Sequence, residues 1–304
     1  MNRSLARRLT VRLLAVPLGG LLASFLMFAA LHVLPGDPAA REVHQSPEQY
    51  GRALHALGLD QPLPVQYVHL MGRILDGDLA QRLRPEAMVT GELALCAAIV
   101  ALSLGVAVGV FAAANRGTWM DRAAISSSLL IVSIPNFVWA TVLVLIFVTG
   151  AYTLSGGLLA YDVGPCCRPD QIWLPVLALA LPFVGYIARH TRAAMLEVVR
   201  QDFVTTARAK GLMERLVLRH HVFRNAALVL VTVATPELTR LLVGSLVIEQ
   251  VFSVPGLGHE LIGSILSRSY DTAVGVFVYY AVLIGLANLI VDLSYPLLDP
   301  RIRL

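Results

Sequence analysis

The chain has 304 residues, of which 57% are apolar and only 14% are charged. Soluble domains usually carry about 25% charged residues, so this composition excludes an ordinary soluble domain and predicts a protein embedded in lipid. The net charge of +4 does not indicate nucleic-acid binding, because nearly all basic residues lie at the edges of apolar segments, where they set membrane orientation.

Six apolar segments are each long enough to cross about 30 Å of hydrocarbon. They are Leu13–Leu34, Met88–Ala114, Ala123–Gly150, Ile172–Ala188, Ala226–Ile248 and Ala273–Leu298. The first is too long for a signal peptide and lacks a small-residue cleavage pattern, so we expect it to be retained. The fourth contains Pro175 and Pro182, which predicts a kink. Because no repeat is visible, the sequence predicts one membrane domain over residues 1–304.

Orientation follows from the basic residues. If the N-terminus lies inside, sixteen of the 24 lysines and arginines fall on the inner side and seven on the outer side, with Arg240 inside a span. The positive-inside rule therefore predicts that both termini are cytoplasmic.

The outer connections differ in character. In the largest, residues 35–87, apolar residues recur at near-helical spacing over Pro64–Leu75, which predicts a short amphipathic helix. Residues 150–171 are expected to be irregular loop. Their neighbouring Cys166 and Cys167 are either incidental thiols, a strained vicinal disulfide or a bridge to a partner. Residues 249–272 contain the turn SVPGLG, followed by a predicted short helix over His259–Ser267.

The inner connection over residues 189–225 is long, polar and strongly basic. Asp202, with the following threonines, predicts an N-capped helix start. Gly211 then breaks that helix, and a second helix over Met213–His221 returns toward the membrane. We call residues 202–221 the elbow. Such a compact projection between two spans is suited to binding another protein.

The elbow carries a family resemblance. TTARAKGL at 205–212, followed by RNA at 224–226, resembles the EAA-type coupling loop of ATP-binding cassette (ABC) importer permeases. Five other segments resemble the first permease subunit of dipeptide, oligopeptide and nickel importers: LPGDPA at 34–39, LGLDQPLPVQY at 57–67, GDL at 77–79, EQVFSVPGLG at 249–258 and NLIVDLSYPLLDPRIR at 288–303. The likeness covers almost the whole chain. It departs from the family at Thr205-Thr206-Ala207, where Glu-Ala-Ala is general, and at Val229, where proline is usual.

The resemblance implies an all-α membrane protein with six transmembrane helices, a type I ABC importer permease with a cytoplasmic coupling helix. It further implies a bacterial inner-membrane location and three kinds of partner: a second permease subunit, two cytoplasmic ATPases and an extracytoplasmic substrate-binding protein. The implied cargo is di- or oligopeptides, with nickel or another small solute as the alternative. The sequence has no GxxxxGK[ST] loop, so we expect no enzyme activity, with ATP and Mg bound by the partner ATPases and no cofactor or metal on this chain.

The resemblance also implies two sets of contact residues. ATPase contact is expected from one stretch of the elbow, namely Thr206, Ala207, Arg208, Ala209, Lys210, Gly211, Leu212 and Arg215. The binding protein is expected to face the last outer turn, formed by Pro255, Gly256, Leu257 and Gly258, although turn geometry alone also explains these residue types.

Three acidic or basic residues inside spans are candidates for the translocation pathway. Glu237 and Arg240 lie one helical turn apart in the fifth span, either as an ion pair that fixes packing or as pathway residues that contact charged peptide termini. Asp292 lies four residues after Asn288 in the last span, as a pathway residue or in a buried hydrogen bond. Glu92, near the outer end of the second span, is read as interfacial.

Two other protein classes fit less well. An intramembrane hydrolase would need a base near Ser126, Ser127 or Ser128, but no histidine lies at matching depth, and neither GxSxG nor HExxH is present. An autonomous channel or secondary transporter usually has ionisable residues on several spans and inverted repeats. This chain has one clear charged pair and an elaborate inner connection, which favours an ATP-driven subunit.

Overall fold

The computed structural model describes residues 3–33, 55, 60–150, 153 and 169–298, with side chains for 17–33, 55, 60–77, 79–150, 153 and 172–289. Most residues of 35–59 and 151–168, in the connections predicted to lie outside, are not part of this description, and neither are Cys166 and Cys167. Within it, every regular element is a helix: α1 (Arg3–Val33), α2 (Leu63–Leu75), α3 (Asp78–Ala114), α4 (Trp119–Ser133), α5 (Asn136–Leu143), α6 (Pro169–Val198), α7 (Asp202–Ala209), α8 (Glu214–Leu216), α9 (Arg224–Val251), α10 (Leu257–Leu266) and α11 (Tyr270–Leu298).

Among the described residues, helices occupy all six predicted apolar segments, with one break in the third. Four described helical stretches are long and apolar enough to cross a membrane, and a fifth is added if α4 and α5 form one span. The remaining segment lies in α1, a helix of 31 residues. Pro175 and Pro182 both lie within the continuous α6. The short helices predicted over Pro64–Leu75 and His259–Ser267 are confirmed as α2 and α10.

The third predicted span is not the single helix that its apolar run suggested. It breaks after Ser133, and α4 and α5 meet at an angle of 100°. The cause is Pro135, which disfavours helical dihedrals at the preceding residue. Ile134 accordingly has φ −94° and ψ 124°, in the extended region. A π-helical segment, Val144–Gly150, then continues α5.

The predicted separate helix over Met213–His221 was also wrong, because this segment does not end before the fifth span. The chain runs as one continuous helical stretch from Glu214 to Val251. Within it, the short α8 passes into a π-helical segment, Val217–Phe223, which leads directly into α9. The elbow is therefore joined to the fifth span without a loop.

The described chain divides into two compact units. The first comprises residues 1–90 and 254–286. In it, the Ser24 and Tyr67 hydroxyls lie 2.7 Å apart and link α1 to α2. Tyr270 donates to the Leu31 carbonyl at 3.0 Å, and Arg73 pairs with Asp271 at 2.9 Å.

The second unit comprises residues 91–253 and 287–304, and α6 lies at its centre. This helix packs against α4, α5 and α9. A Cβ added at Gly109 would meet the Thr191 side chain and the Ala188 carbonyl, and one added at Gly185 would meet the Ser128 carbonyl. The two glycines therefore let α6 approach α3 and α4 closely.

Candidate coupling and translocation sites

The elbow begins with α7, but its start differs from the sequence prediction. Gln201 occupies the N-cap position without a side-chain hydrogen bond, and Asp202 is the first residue of the helix rather than its cap. An acidic residue in the first turn is still favourable, because it faces the positive end of the helix dipole. The elbow then turns at Gly211, whose φ of +77° confirms the predicted break.

An ion pair closes this turn. Arg208 donates from Nε and Nη2 to the two carboxylate oxygens of Glu214, at 3.0 and 2.6 Å. The pKa of Glu214 is lowered because its charged form accepts these hydrogen bonds, and the pKa of Arg208 is raised by the same contact. The pair fixes α7 relative to α8 across Gly211, although both side chains remain partly exposed to solvent.

A hydrophobic cluster seats the elbow on the spans. Val204 and Ala207 of α7 are buried, and so are Val217 and Val222 of the π-helical segment that leads into α9. They pack in one cluster with residues of α3, α6 and α9, namely Ala113, Ala194, Met195, Val198, Ala226 and Leu230. Burial on this scale makes the elbow part of the second unit rather than a loosely tethered loop.

The structure separates the predicted ATPase-contact residues into two groups. Ala207 is only 5% exposed and belongs to the cluster, so its side chain anchors the elbow instead of presenting itself to a partner. The others are exposed: Thr206, Arg208, Ala209, Lys210, Gly211, Leu212 and Arg215. Together they form a basic surface around the Gly211 turn.

The sequence interpretation missed a second ion pair of the same unit, between Asp121 and Arg192. Arg192 donates from Nε and Nη2 to the two oxygens of Asp121 at 2.6 and 2.7 Å, and the Asp121 side chain is only 4% exposed. The Gly117 N–H also donates to this carboxylate, at 3.0 Å, and Thr118 caps the helix. A lone aspartate, three residues after a capping threonine in an otherwise basic connection, was the available signal.

The predicted pathway residues Glu237 and Arg240 lie on α9 and form the expected pair. Arg240 Nη1 donates to Glu237 Oε1 at 3.0 Å. Their surroundings differ sharply: the Glu237 side chain is 7% exposed, whereas that of Arg240 is 68% exposed. The carboxylate is thus packed inside the second unit, and the guanidinium projects from its surface.

The last span contributes a polar contact beside this pair. Thr239 donates to Asn288 Oδ1 at 2.7 Å and so links α9 to α11. Asp292, predicted one turn further on, lies in α11, but its side chain is outside the described residues. Glu92 is exposed on α3. Among the described residues, no three histidine, cysteine, aspartate or glutamate side chains are grouped to hold a metal ion.

The last outer turn is more buried than the sequence suggested. Gly256, Leu257 and Gly258 are buried, and Pro255 is half-buried. Leu257 donates its N–H to Thr90 Oγ1 at 2.9 Å, a contact within the first unit. These residues therefore form the turn and pack within the first unit. Their contact with a binding protein remains a prediction.

Comparison with protein families gives two matches. The model of the family described as "Binding-protein-dependent transport system inner membrane component" matches residues 105–304, and that of its N-terminal region matches residues 1–87.

Curated relatives cover nearly the whole chain. A putative peptide transport system permease protein of Brucella abortus (strain 2308) is 38% identical over 93% of this chain and 94% of its own length. The dipeptide transport system permease protein DppB of Escherichia coli (strain K12) is 35% identical over 92% and 94%. The di/tripeptide transport system permease protein DppB of Pseudomonas aeruginosa (strain UCBPP-PA14) is 36% identical over the same shares.

Solved structures share the fold. A chain of an amino acid ABC transporter crystallised with histidines superposes with a TM-score of 0.55, at 18% identity, over 74% of this chain and 97% of its own. A chain of the MetNI methionine ABC transporter in an inward-facing conformation gives 0.57, at 19% identity, over 71% and 96%. The fold is that of ABC importer permeases.

Proposed function

Because the chain belongs to the family of binding-protein-dependent transport system inner-membrane components, we propose that it forms half of the translocation pathway in an ATP-driven importer of di- or oligopeptides. The peptide cargo is supported by the named activities of relatives that match over more than nine tenths of the chain. In this role the chain itself binds no nucleotide, and ATP hydrolysis by the partner ATPases supplies the energy for transport.

The observation that carries this proposal is the way in which the elbow is built into the spans. The exposed basic residues of the elbow form a surface that a second protein can bind. Val204 and Ala207, on its buried side, pack in the hydrophobic cluster with α6 and α9. The π-helical segment Val217–Phe223 also continues into α9 without a loop. A force applied at Gly211 therefore acts directly on two spans.

The proposed complex contains this chain, a second permease, two ATPases and a binding protein. The elbow would lie in the cytoplasm, in agreement with the basic residues on its side of the membrane. Nucleotide-driven closure of the ATPases would move the two elbows and open the pathway to the side where the binding protein delivers its ligand. Such coupling requires a packed element that has two arrangements.

Reconstitution of the complex in liposomes tests the proposal. We expect uptake of a radiolabelled dipeptide that requires ATP, the ATPases and the binding protein. Lys210→Glu reverses a charge on the exposed surface of the elbow and should lower uptake at least several-fold by weakening ATPase docking. Arg122→Glu, an equal charge change at an exposed residue outside the elbow, is the matched control and should leave uptake nearly unchanged.

Three results would contradict this assignment. Uptake at full rate without the ATPases would indicate an autonomous carrier. Uptake of nickel but not of peptides would keep the architecture and replace the cargo. Equal losses for Lys210→Glu and Arg122→Glu would remove the elbow from its proposed role.

A further inference from the structure

We propose that Arg240, on the exposed side of α9, forms a transient binding site in the translocation pathway. Its guanidinium would bind the terminal carboxylate of a peptide during transport. This inference rests on the proposed peptide-import function and adds a specific contact to it. It starts from the position of Arg240 along the helix. Arg240 lies eight residues before Ile248, the end of the predicted span, which is about 12 Å or two helical turns inside it.

An exposed guanidinium at that depth does not suit a surface facing lipid. A charged side chain near the bilayer centre costs about 2.5–3.5 kcal/mol on insertion scales, and intramembrane charges usually face a water-filled cavity or a partner. Arg240 is 68% exposed, so the described part of its own chain does not shield it. Its side of α9 must therefore meet water or polar groups.

The rest of the exposed side of α9 supports this conclusion. Over residues 232–250 its exposed residues recur at helical spacing and mix polar with apolar types, namely Thr232, Pro236, Arg240, Val243, Val247 and Gln250. By contrast, the exposed residues in the described part of α1 are all apolar, among them Leu18, Leu22 and Phe25. The composition of α1 suits lipid, whereas that of α9 suits a hydrated path.

The ion pair with Glu237 uses only one nitrogen of Arg240 and leaves the other N–H donors of the guanidinium for an anion. Among the described residues, Glu237 accepts one hydrogen bond from this arginine, from Nη1, and its side chain is packed inside the unit. Nε and Nη2 make no hydrogen bond to any described residue, so one edge of the guanidinium is available. Two parallel N–H donors on one edge match the two oxygens of a carboxylate, the standard fork geometry of arginine.

Glu237 also explains how such a site could release its cargo. A transport pathway needs binding that is favourable enough to admit a solute and weak enough to let it leave. The buried carboxylate neutralises part of the charge on Arg240 and so limits its hold on a second anion.

The test measures equilibrium binding of a radiolabelled dipeptide to the purified complex, without ATP or binding protein. Arg240→Gln should weaken binding about tenfold, the worth of one strong charge-assisted contact. Glu237→Gln should strengthen it, because it removes the competing carboxylate. The C-terminal amide of the same dipeptide should displace the label poorly from the wild-type complex. Arg122→Gln, which removes an exposed arginine elsewhere in the unit, should change nothing.

The opposite signs of the two variants distinguish this site from a packing ion pair. If the pair only fixed helix packing, both variants would shift binding in the same direction, or both would release the second permease from the complex. Either result would overturn the proposal, as would equal displacement by the acid and the amide or no binding to the wild-type complex. ATP-dependent dipeptide uptake by that same complex tests the proposed function separately.

Discussion

At the scale of single residues, the elbow depends on the absence of a side chain at Gly211. Its φ of +77° lies in the left-handed region, and a Cβ there would meet none of the described residues within 4 Å. Gly211→Ala therefore acts only through backbone strain, which costs about 1–2 kcal/mol. The strain would be relieved by shifting the turn that the Arg208–Glu214 pair spans. We expect ATP-driven dipeptide uptake in liposomes to fall several-fold, with the complex still assembled.

Gly77 supplies the matched control for this prediction. It has φ +86°, a Cβ there would meet no described residue within 4 Å, and it belongs to the first unit, whereas the elbow belongs to the second. Gly77→Ala introduces a similar strain, and we expect it to leave uptake near the wild-type rate. Equal losses in the two variants would show that general destabilisation, and not the shape of the elbow, controls transport.

Single residues also show which details of the site a sequence can predict. The break at Gly211 was predictable, because glycine is the residue that adopts positive φ without strain. The Arg208–Glu214 contact was not, since it depends on how the chain returns after that turn. The burial of Ala207 was hidden for a similar reason: α7 is short, and only its packing on α6 and α9 decides which side faces inward.

At the scale of elements, the Asp121–Arg192 pair joins the start of α4 to the C-terminal part of α6, the helix against which the elbow packs. Asp121→Asn leaves Arg192 without its partner, and breaking a buried ion pair costs about 3 kcal/mol. We expect the melting temperature of the purified complex to fall by several degrees. The exchanged variant, with Asp121→Arg and Arg192→Asp together, should recover part of that loss.

Arg122→Gln tests whether that loss belongs to the pair. Arg122 follows Asp121 directly but is exposed, and an isolated surface charge contributes little to stability. Its substitution should leave the melting temperature almost unchanged. A small shift for Asp121→Asn, or no recovery in the exchanged variant, would show that the hydrogen bonds from Gly117 and Thr118 suffice to hold this connection.

The elements that the sequence misjudged share a physical cause. Hydropathy reports whether a segment is apolar, not whether its backbone is continuous. Ala123–Gly150 is mostly apolar and has no charged residue, yet it bends by 100° at Pro135. Trp139 donates to the Ile131 carbonyl at 3.1 Å across the break. Conversely, the polar sequence of the elbow did not show that its second half is continuous with the fifth span. The two are joined by a π-helical segment, which has no sequence signature.

At the scale of the whole molecule, the positions of the apolar segments were predictable almost completely. A bilayer requires every backbone polar group to be satisfied within the span, so long apolar stretches have few alternatives to helix. The polar connections have no such constraint, and their helices were located only to within a few residues. The family was recognisable for a different reason: its short motifs are spread from the first span to the last.

The orientation of the molecule is the last prediction, and labelling of single cysteines can measure it. After Cys96, Cys166 and Cys167 are replaced by serine, cysteine is introduced at Asp76 or at Met213, both of which are exposed. Because sixteen of the 24 basic residues lie on the elbow's side, a membrane-impermeant maleimide should label Asp76→Cys in intact spheroplasts. Met213→Cys should react only after the membrane is permeabilised. The reverse pattern would place the elbow outside, beyond the reach of any cytoplasmic ATPase.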